Sequence, residues 1–159
     1  MIQTAVFPER TLLGLGRPFI SATQPNSNAS EVIGPLWAEM SKLFFSMSLN
    51  RDANPVGYGA MWNDVDGEPG SMMYFAGYEI HEIPEDLGGL EVLALDETKY
   101  AFIEHNGPMS ELPPKIKAFY TELRPSSEFK RIEGIDLEIY HESDNPEQPP
   151  RVIVAAPVL

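Results

Sequence analysis

The sequence predicts an α+β fold in which two pseudo-symmetric strand–helix–strand–strand units form one antiparallel sheet. Two stretches repeat apolar residues every three or four positions, as amphipathic helices do, and several others alternate with the two-residue period of strands. The elements follow the same order in both halves of the chain. Units of this kind pair their strands into one sheet, so we expect both helices on one face and a ligand cleft on the other.

The first unit opens with a strand over 11–21 and continues into the clearest helix of the chain, over 30–48. Pro35 indicates that the regular part of this helix begins close to it, because proline is tolerated in the first turn. The apolar positions follow three- and four-residue steps. They are Ile33, Leu36, Trp37, Met40, Leu43, Phe44 and Met47.

Two strands complete the first unit, over 56–64 and 72–80. Alternation places Tyr58 and Trp62 on one face of the first strand, and Tyr74 on one face of the second. Aromatic side chains on neighbouring strands predict a shared aromatic wall.

The second unit follows a linking strand near Leu90. It consists of a strand over 99–107, a helix over 110–123, and two strands over 134–142 and 151–159. The apolar face of its helix is formed by Ile116, Phe119, Tyr120 and Leu123.

One strand of this unit places acidic residues among aliphatic ones. Leu137 and Ile139 alternate with Asp136, Glu138 and Tyr140. We expect the two aliphatic side chains to pack beneath the helices, and Glu138 and Tyr140 to face the cleft. Glu138 then has two interpretations: a solvated residue on an open sheet, or a buried counter-charge for a ligand.

The composition limits the partners. The chain has 24 acidic and 11 basic residues, a net charge of −13. Such a surface repels phosphate backbones, so we expect no direct nucleic-acid binding, and it favours cationic ligands. A chain of 159 residues is enough for one domain, which we assign to 1–159.

Several site classes lack their signatures. The chain has no cysteine, and its three histidines do not show metal-ligand spacing. We therefore expect neither a metal nor a cofactor. No apolar run approaches the length of a membrane span, so we expect no membrane contact and a cytoplasmic location.

Five stretches, in order, resemble the GyrI-like (gyrase-inhibitor-like) small-molecule-binding family, which also supplies the effector-binding domain of some bacterial transcription activators. They are "LWAEMSKLF", "YGAMWNDVD", "YFAGYEI", "KYAFIEHNGPMSELP" and "DLEIYHE", followed by a final strand that ends in "APV". The resemblance runs from about Thr4 to Val158. Each stretch is a weak signal alone, whereas their order and spacing are fairly specific.

The resemblance implies two units related by a pseudo-two-fold axis and an aromatic pocket whose glutamate meets cationic, often aromatic, compounds. Glu138 occupies the matching position, with Tyr140 two residues later. The closing strand departs from the family pattern, because Ile153 and Ala155 stand where members often carry an acidic residue and a tyrosine. We therefore expect the ligand charge or the pocket shape to differ from better-known members.

The leading hypothesis is a binding protein, not an enzyme, that accepts many cationic, lipophilic or aromatic compounds and acts alone or through a protein partner. One alternative is a hydrolase of small strained or activated substrates that uses Glu138 and Tyr140. Another is an inhibitor that binds a partner such as a topoisomerase. The predicted ligand contacts are Glu138, Tyr140, Trp62, Tyr58, Tyr74, Trp37 and Met72.

Overall fold

The computed structural model describes residues 1–49, 55–123, 128–142, 145 and 147–159. Within these residues the chain forms eight strands and two α-helices. The strands are β1 Gln3–Phe7, β2 Arg10–Ile20, β3 Gly57–Asn63, β4 Ser71–Ile80, β5 Glu91–Leu95, β6 Thr98–Asn106, β7 Asp136–His141 and β8 Arg151–Pro157. The helices are α1 Ala29–Ser46 and α2 Leu112–Leu123, the second preceded by a 3-10 turn at Met109–Glu111.

All the strands join one antiparallel sheet in the order β1-β6-β8-β7-β3-β4-β2-β5. Strands β2, β3 and β4 of the first predicted unit occupy one half, and β6, β7 and β8 of the second occupy the other. The halves meet where β3 pairs with β7. The predicted α+β class and the antiparallel sheet are confirmed, whereas the two-fold relation between the units stays a prediction.

Both helices pack on the same face of this sheet. Residues that pair directly across antiparallel strands share a face. One such row of paired residues crosses β2, β4, β3, β7 and β8 in turn, through Leu13, Tyr78, Gly57, Tyr140 and Val152. At one end of the row, Leu13 packs with the apolar residues of α1. At the other end, Val152 packs with those of α2.

The opposite face has its own core, without residues of either helix. Tyr58, Leu137 and Ile139 are buried there together with Leu95 and Tyr100, which come from strands near the two ends of the sheet. The sheet therefore curls around this face. The prediction that Leu137 and Ile139 pack beneath the helices is wrong, because alternation shows which residues share a face but not which face the helices cover.

Two local differences from the predicted elements have simple causes. Helix α1 begins at Ala29, so Pro35 lies inside it and deprives the Glu31 carbonyl of the usual amide donor. Strand β1, Gln3–Phe7, is not predicted by the sequence pattern. It is mostly exposed, and among the described strands it pairs only with β6, which comes almost a hundred residues later in the chain.

We predict that Gly59→Ala destabilises the protein by about 1–3 kcal/mol, the cost typical of overpacking. A Cβ atom at Gly59 of β3 would lie 2.1 Å from Oη of Tyr74. Urea denaturation measures the loss. Gly16→Ala is the matched control, because its Cβ would have no neighbour closer than 3.5 Å. Equal stabilities of the two variants would contradict this account of β3.

Candidate functional site

A cavity of about 500 Å³ lies on the face of the sheet that the helices cover. Helix α1 contributes Ile33 and Trp37, and the remaining wall comes from the sheet and the segments that flank it. The predicted cleft on the helix-free face is therefore wrong in position, although Glu138 and Tyr140 do line a cavity. The full lining is Ile33, Trp37, Pro55, Gly57, Tyr74, Tyr78, Glu138, Tyr140 and Glu142.

Trp37 organises the aromatic wall of the cavity. Its ring meets Tyr78 and Tyr140 nearly edge to face, at centroid distances of 6.3 Å and 5.8 Å. Its Nε1 donates a hydrogen bond of 2.9 Å to Oη of Tyr74. The hydroxyl of Tyr78 lies 3.2 Å from Oγ of Ser41 on the same helix. One tryptophan thus contacts three tyrosines from two strands, and fixes the shape of the wall.

Glycines of β3 make room for these rings. A Cβ atom at Gly57 would lie 3.3 Å from the indole of Trp37, and one at Gly59 would collide with the hydroxyl of Tyr74. Both glycines lie on the helix-covered face, because they pair with Tyr140 and Glu138 of β7. The rings therefore approach the bare backbone of the central strand.

Glu138 lies near the middle of the sheet, paired with Gly59 on one side and Val154 on the other. Burial raises the pKa of its carboxyl, and a hydrogen bond of 3.3 Å donated by the hydroxyl of Tyr140 acts in the opposite direction. Within the described residues, no Lys, Arg or His side chain forms an ion pair with Glu138. Its carboxylate therefore has a hydrogen-bond donor but no counter-charge there.

Asp136, two residues earlier on the same face of β7, offers an internal comparison. Arg131 donates two hydrogen bonds to its carboxylate, at 3.1 Å and 3.0 Å, and the hydroxyl of Tyr120 donates another at 3.0 Å. Among the described residues, therefore, Asp136 has a cationic partner and Glu138 has none.

The neighbouring tyrosines remain protonated donors. Burial raises the pKa of both Tyr74 and Tyr140, and the negative charge of Glu138 raises each further. A phenol next to a carboxylate resists ionisation, because a second negative charge would add repulsion. The cavity therefore offers neutral hydroxyls and rings around a single carboxyl group at this depth.

The structure brings together four of the seven predicted ligand contacts: Glu138, Tyr140, Tyr74 and Trp37. It separates the other three from this cavity. Tyr58 and Trp62 belong to the core of the opposite face, where Tyr58 is fully buried and accepts a hydrogen bond from the guanidinium of Arg10. Met72 lines a different hollow between loops.

Other lining residues are absent from the predicted contacts. Tyr78 shares its strand face with Tyr74, and Ile33 lies one helical turn before Trp37. The two-residue period of the strand therefore indicates Tyr78, and the 3.6-residue period of the helix indicates Ile33. The departures at Ile153 and Ala155 lie on the opposite face, since these residues pair with Ile139 and Leu137. The departure in the closing strand therefore does not alter the wall of this cavity.

Neither a metal centre nor a membrane-spanning helix is found within the described residues. Among them, no group of three or more His, Asp or Glu side chains is arranged to hold a metal ion. No helix there has the length and apolar character required to cross a bilayer.

Comparisons with known proteins agree on the fold. A family model, described as the GyrI-like small molecule binding domain, matches residues 9–159. SAV2435 bound to tetraphenylphosphonium is 18% identical, with a TM-score of 0.75 over 100% of this chain and 94% of that one. The EcmrR C-terminal domain is 10% identical, with a TM-score of 0.62 over 100% and 97%. A hydrolase from Listeria innocua is 16% identical, with a TM-score of 0.51 over 99% and 91%. No curated protein matches significantly.

We predict that Glu138→Gln stabilises the free protein at neutral pH. The folded chain holds the Glu138 carboxyl at a raised pKa, so it binds that proton more tightly than the unfolded chain does. The free energy of unfolding therefore falls as the pH rises from about 4.3, the pKa of this carboxyl in the unfolded chain, through its higher pKa in the folded chain. Urea denaturation should show the variant more stable at pH 7, and the difference should disappear below about pH 4.

Glu97→Gln is the control for this experiment, because it removes one negative charge from an exposed turn between β5 and β6. A general relief of charge repulsion would stabilise both variants equally. Equal stabilisation of both variants would contradict the conclusion that folding desolvates the Glu138 carboxylate. A Glu138→Gln variant that is less stable than the parent at neutral pH would contradict it as well.

Proposed function

The chain belongs to the GyrI-like small molecule binding domain family, and from that membership we propose that it is a receptor for lipophilic, aromatic cations. Glu138 holds the charge of the ligand, and Trp37, Tyr74, Tyr78 and Tyr140 surround its apolar groups. The observation that carries the proposal is the state of the Glu138 carboxylate. Burial makes this group costly to ionise, and no positively charged side chain among the described residues forms an ion pair with it.

The chemistry favours a cation over a neutral or anionic ligand. A partly desolvated carboxylate recovers the lost stabilisation when a positive charge enters the cavity. The faces of the surrounding rings add cation–π attraction of about 0.5–2 kcal/mol each. A neutral ligand gains neither contribution, and an anion is repelled by Glu138 and by the net charge of −13.

The same arrangement supports broad specificity. The ring faces and the Glu138 carboxylate impose a charge and an approximate size, but few directional hydrogen bonds, on whatever enters. Compounds of different outline therefore satisfy the same contacts. The similar structure of SAV2435 holds tetraphenylphosphonium, which makes this cation the natural first probe for the present chain.

We predict that tetraphenylphosphonium quenches the fluorescence of Trp37. The second tryptophan, Trp62, belongs to the core of the opposite face, so Trp62→Phe should keep the quenching and Trp37→Phe should lose it. Calorimetry should show at least tenfold weaker binding to Glu138→Gln, a difference of about 1.4 kcal/mol. Glu97→Gln should bind like the parent.

Tetraphenylborate separates charge from shape, because it has the same outline and the opposite charge. The receptor should bind it far more weakly than the phosphonium. Equal binding of the two ions, or unchanged phosphonium affinity in Glu138→Gln, would refute the proposed role of the carboxylate.

A second candidate is hydrolysis of small strained or activated substrates. The hydrogen bond of 3.3 Å between Tyr140 and Glu138 supports it, since a carboxylate with a raised pKa is suited to act as a general base and a phenol as a donor. Steady turnover of an activated ester, abolished in both Glu138→Gln and Tyr140→Phe, would favour the hydrolase. The receptor proposal expects no turnover above that of Glu138→Gln.

A further inference from the structure

Two carboxylates line the cavity at different levels. Glu138 lies at the centre of the sheet, whereas Glu142 follows the last residue of β7 and is exposed. Tyr140 lies between them and lines the same cavity. Glu142 comes four residues after Glu138, and four residues of extended chain span about 13 Å, which sets the scale of the distance between the two positions along the backbone.

Both carboxylates lack an ion pair within the described residues. Arg151 pairs with His141 in the β-ladder, and its guanidinium forms an ion pair with Glu104. The outer end of the cavity therefore adds a second negative charge to that of Glu138, with an aromatic ring between them.

The outer carboxylate is open to solvent. Glu142 is exposed at the end of the cavity, so a ligand longer than the cavity can extend past it. Glu142 also borders a second hollow of about 550 Å³. That hollow includes His141 and Arg151, which alternate with Tyr140 and Val152 and therefore lie on the opposite face of the sheet.

We propose that the site prefers elongated dications, and that Glu142 determines this preference. One positive charge lies among the aromatic rings against Glu138. The second lies against Glu142, and the linker between the charges passes Tyr140. This inference rests on the receptor function proposed above and specifies its ligand class.

The test compares a decane-linked bis(triphenylphosphonium) with decyltriphenylphosphonium, which carries one charge on the same chain. Calorimetry should show that the dication binds at least about fivefold more tightly than the single-charge probe. Two equivalent heads account for about twofold of this advantage, and an accessible ion pair with Glu142 accounts for the rest. Glu142→Gln should reduce the advantage of the dication over the single-charge probe to about twofold. Glu97→Gln should keep the full advantage.

Linker length provides an independent control. An ethane-linked bis(triphenylphosphonium) is too short to reach both carboxylates, so it should show no extra affinity. An advantage that is equal for short and long linkers would reflect general attraction to the charge of −13 and would overturn the proposal. An advantage that survives Glu142→Gln would overturn it as well.

The results also separate this inference from the receptor function. Single-charge binding that depends on Glu138, combined with no effect of Glu142→Gln on the dication, refutes only the dication preference. Binding of both probes that is indifferent to Glu138→Gln refutes the receptor function and the inference together.

Discussion

The arrangement of this protein depends on a carboxylate that the sheet holds in place and that has no ion-pair partner among the described residues. Glu138 is paired in the ladder with Gly59 and Val154, and its register cannot slip without turning the whole of β7 over. Removing water from the carboxylate costs free energy. The same strand gives Asp136 an arginine, so the chain balances one of these charges internally. The proposed ligand supplies the charge missing from the other.

The aromatic wall depends on contacts that also fix α1 against the sheet. Trp37 packs over Gly57, meets two tyrosine rings and donates to a third tyrosine. The position of the helix and the shape of the cavity are therefore set by the same side chain. The carboxylate and the open volume of the cavity both lower the stability of the free protein, which is the cost expected of the proposed receptor site.

Periodicity predicted much of this molecule, and its limits are physical. It predicted the antiparallel sheet, both helices and the shared orientation of Glu138 and Tyr140, because alternation along one strand is a local property. It did not reveal which face the helices cover, because both faces carry apolar and aromatic residues. Nor does it fix the register between strands: Gly57, not Tyr58, pairs with Tyr140, so Tyr58 and Trp62 lie in the other core. β1 escaped prediction because an exposed edge strand has little pattern.

The pKa of Glu138 itself is the most direct measure of how far the sheet desolvates this carboxylate. A carbon-13 NMR titration of the side-chain carboxyl, assigned with Glu138→Gln, follows this one group in the free protein and with saturating tetraphenylphosphonium. We predict that it titrates above the ordinary value for glutamate, about 4.3, in the free protein, and that the cation lowers its pKa. An ordinary pKa that the cation leaves unchanged would contradict a desolvated carboxylate awaiting a positive charge.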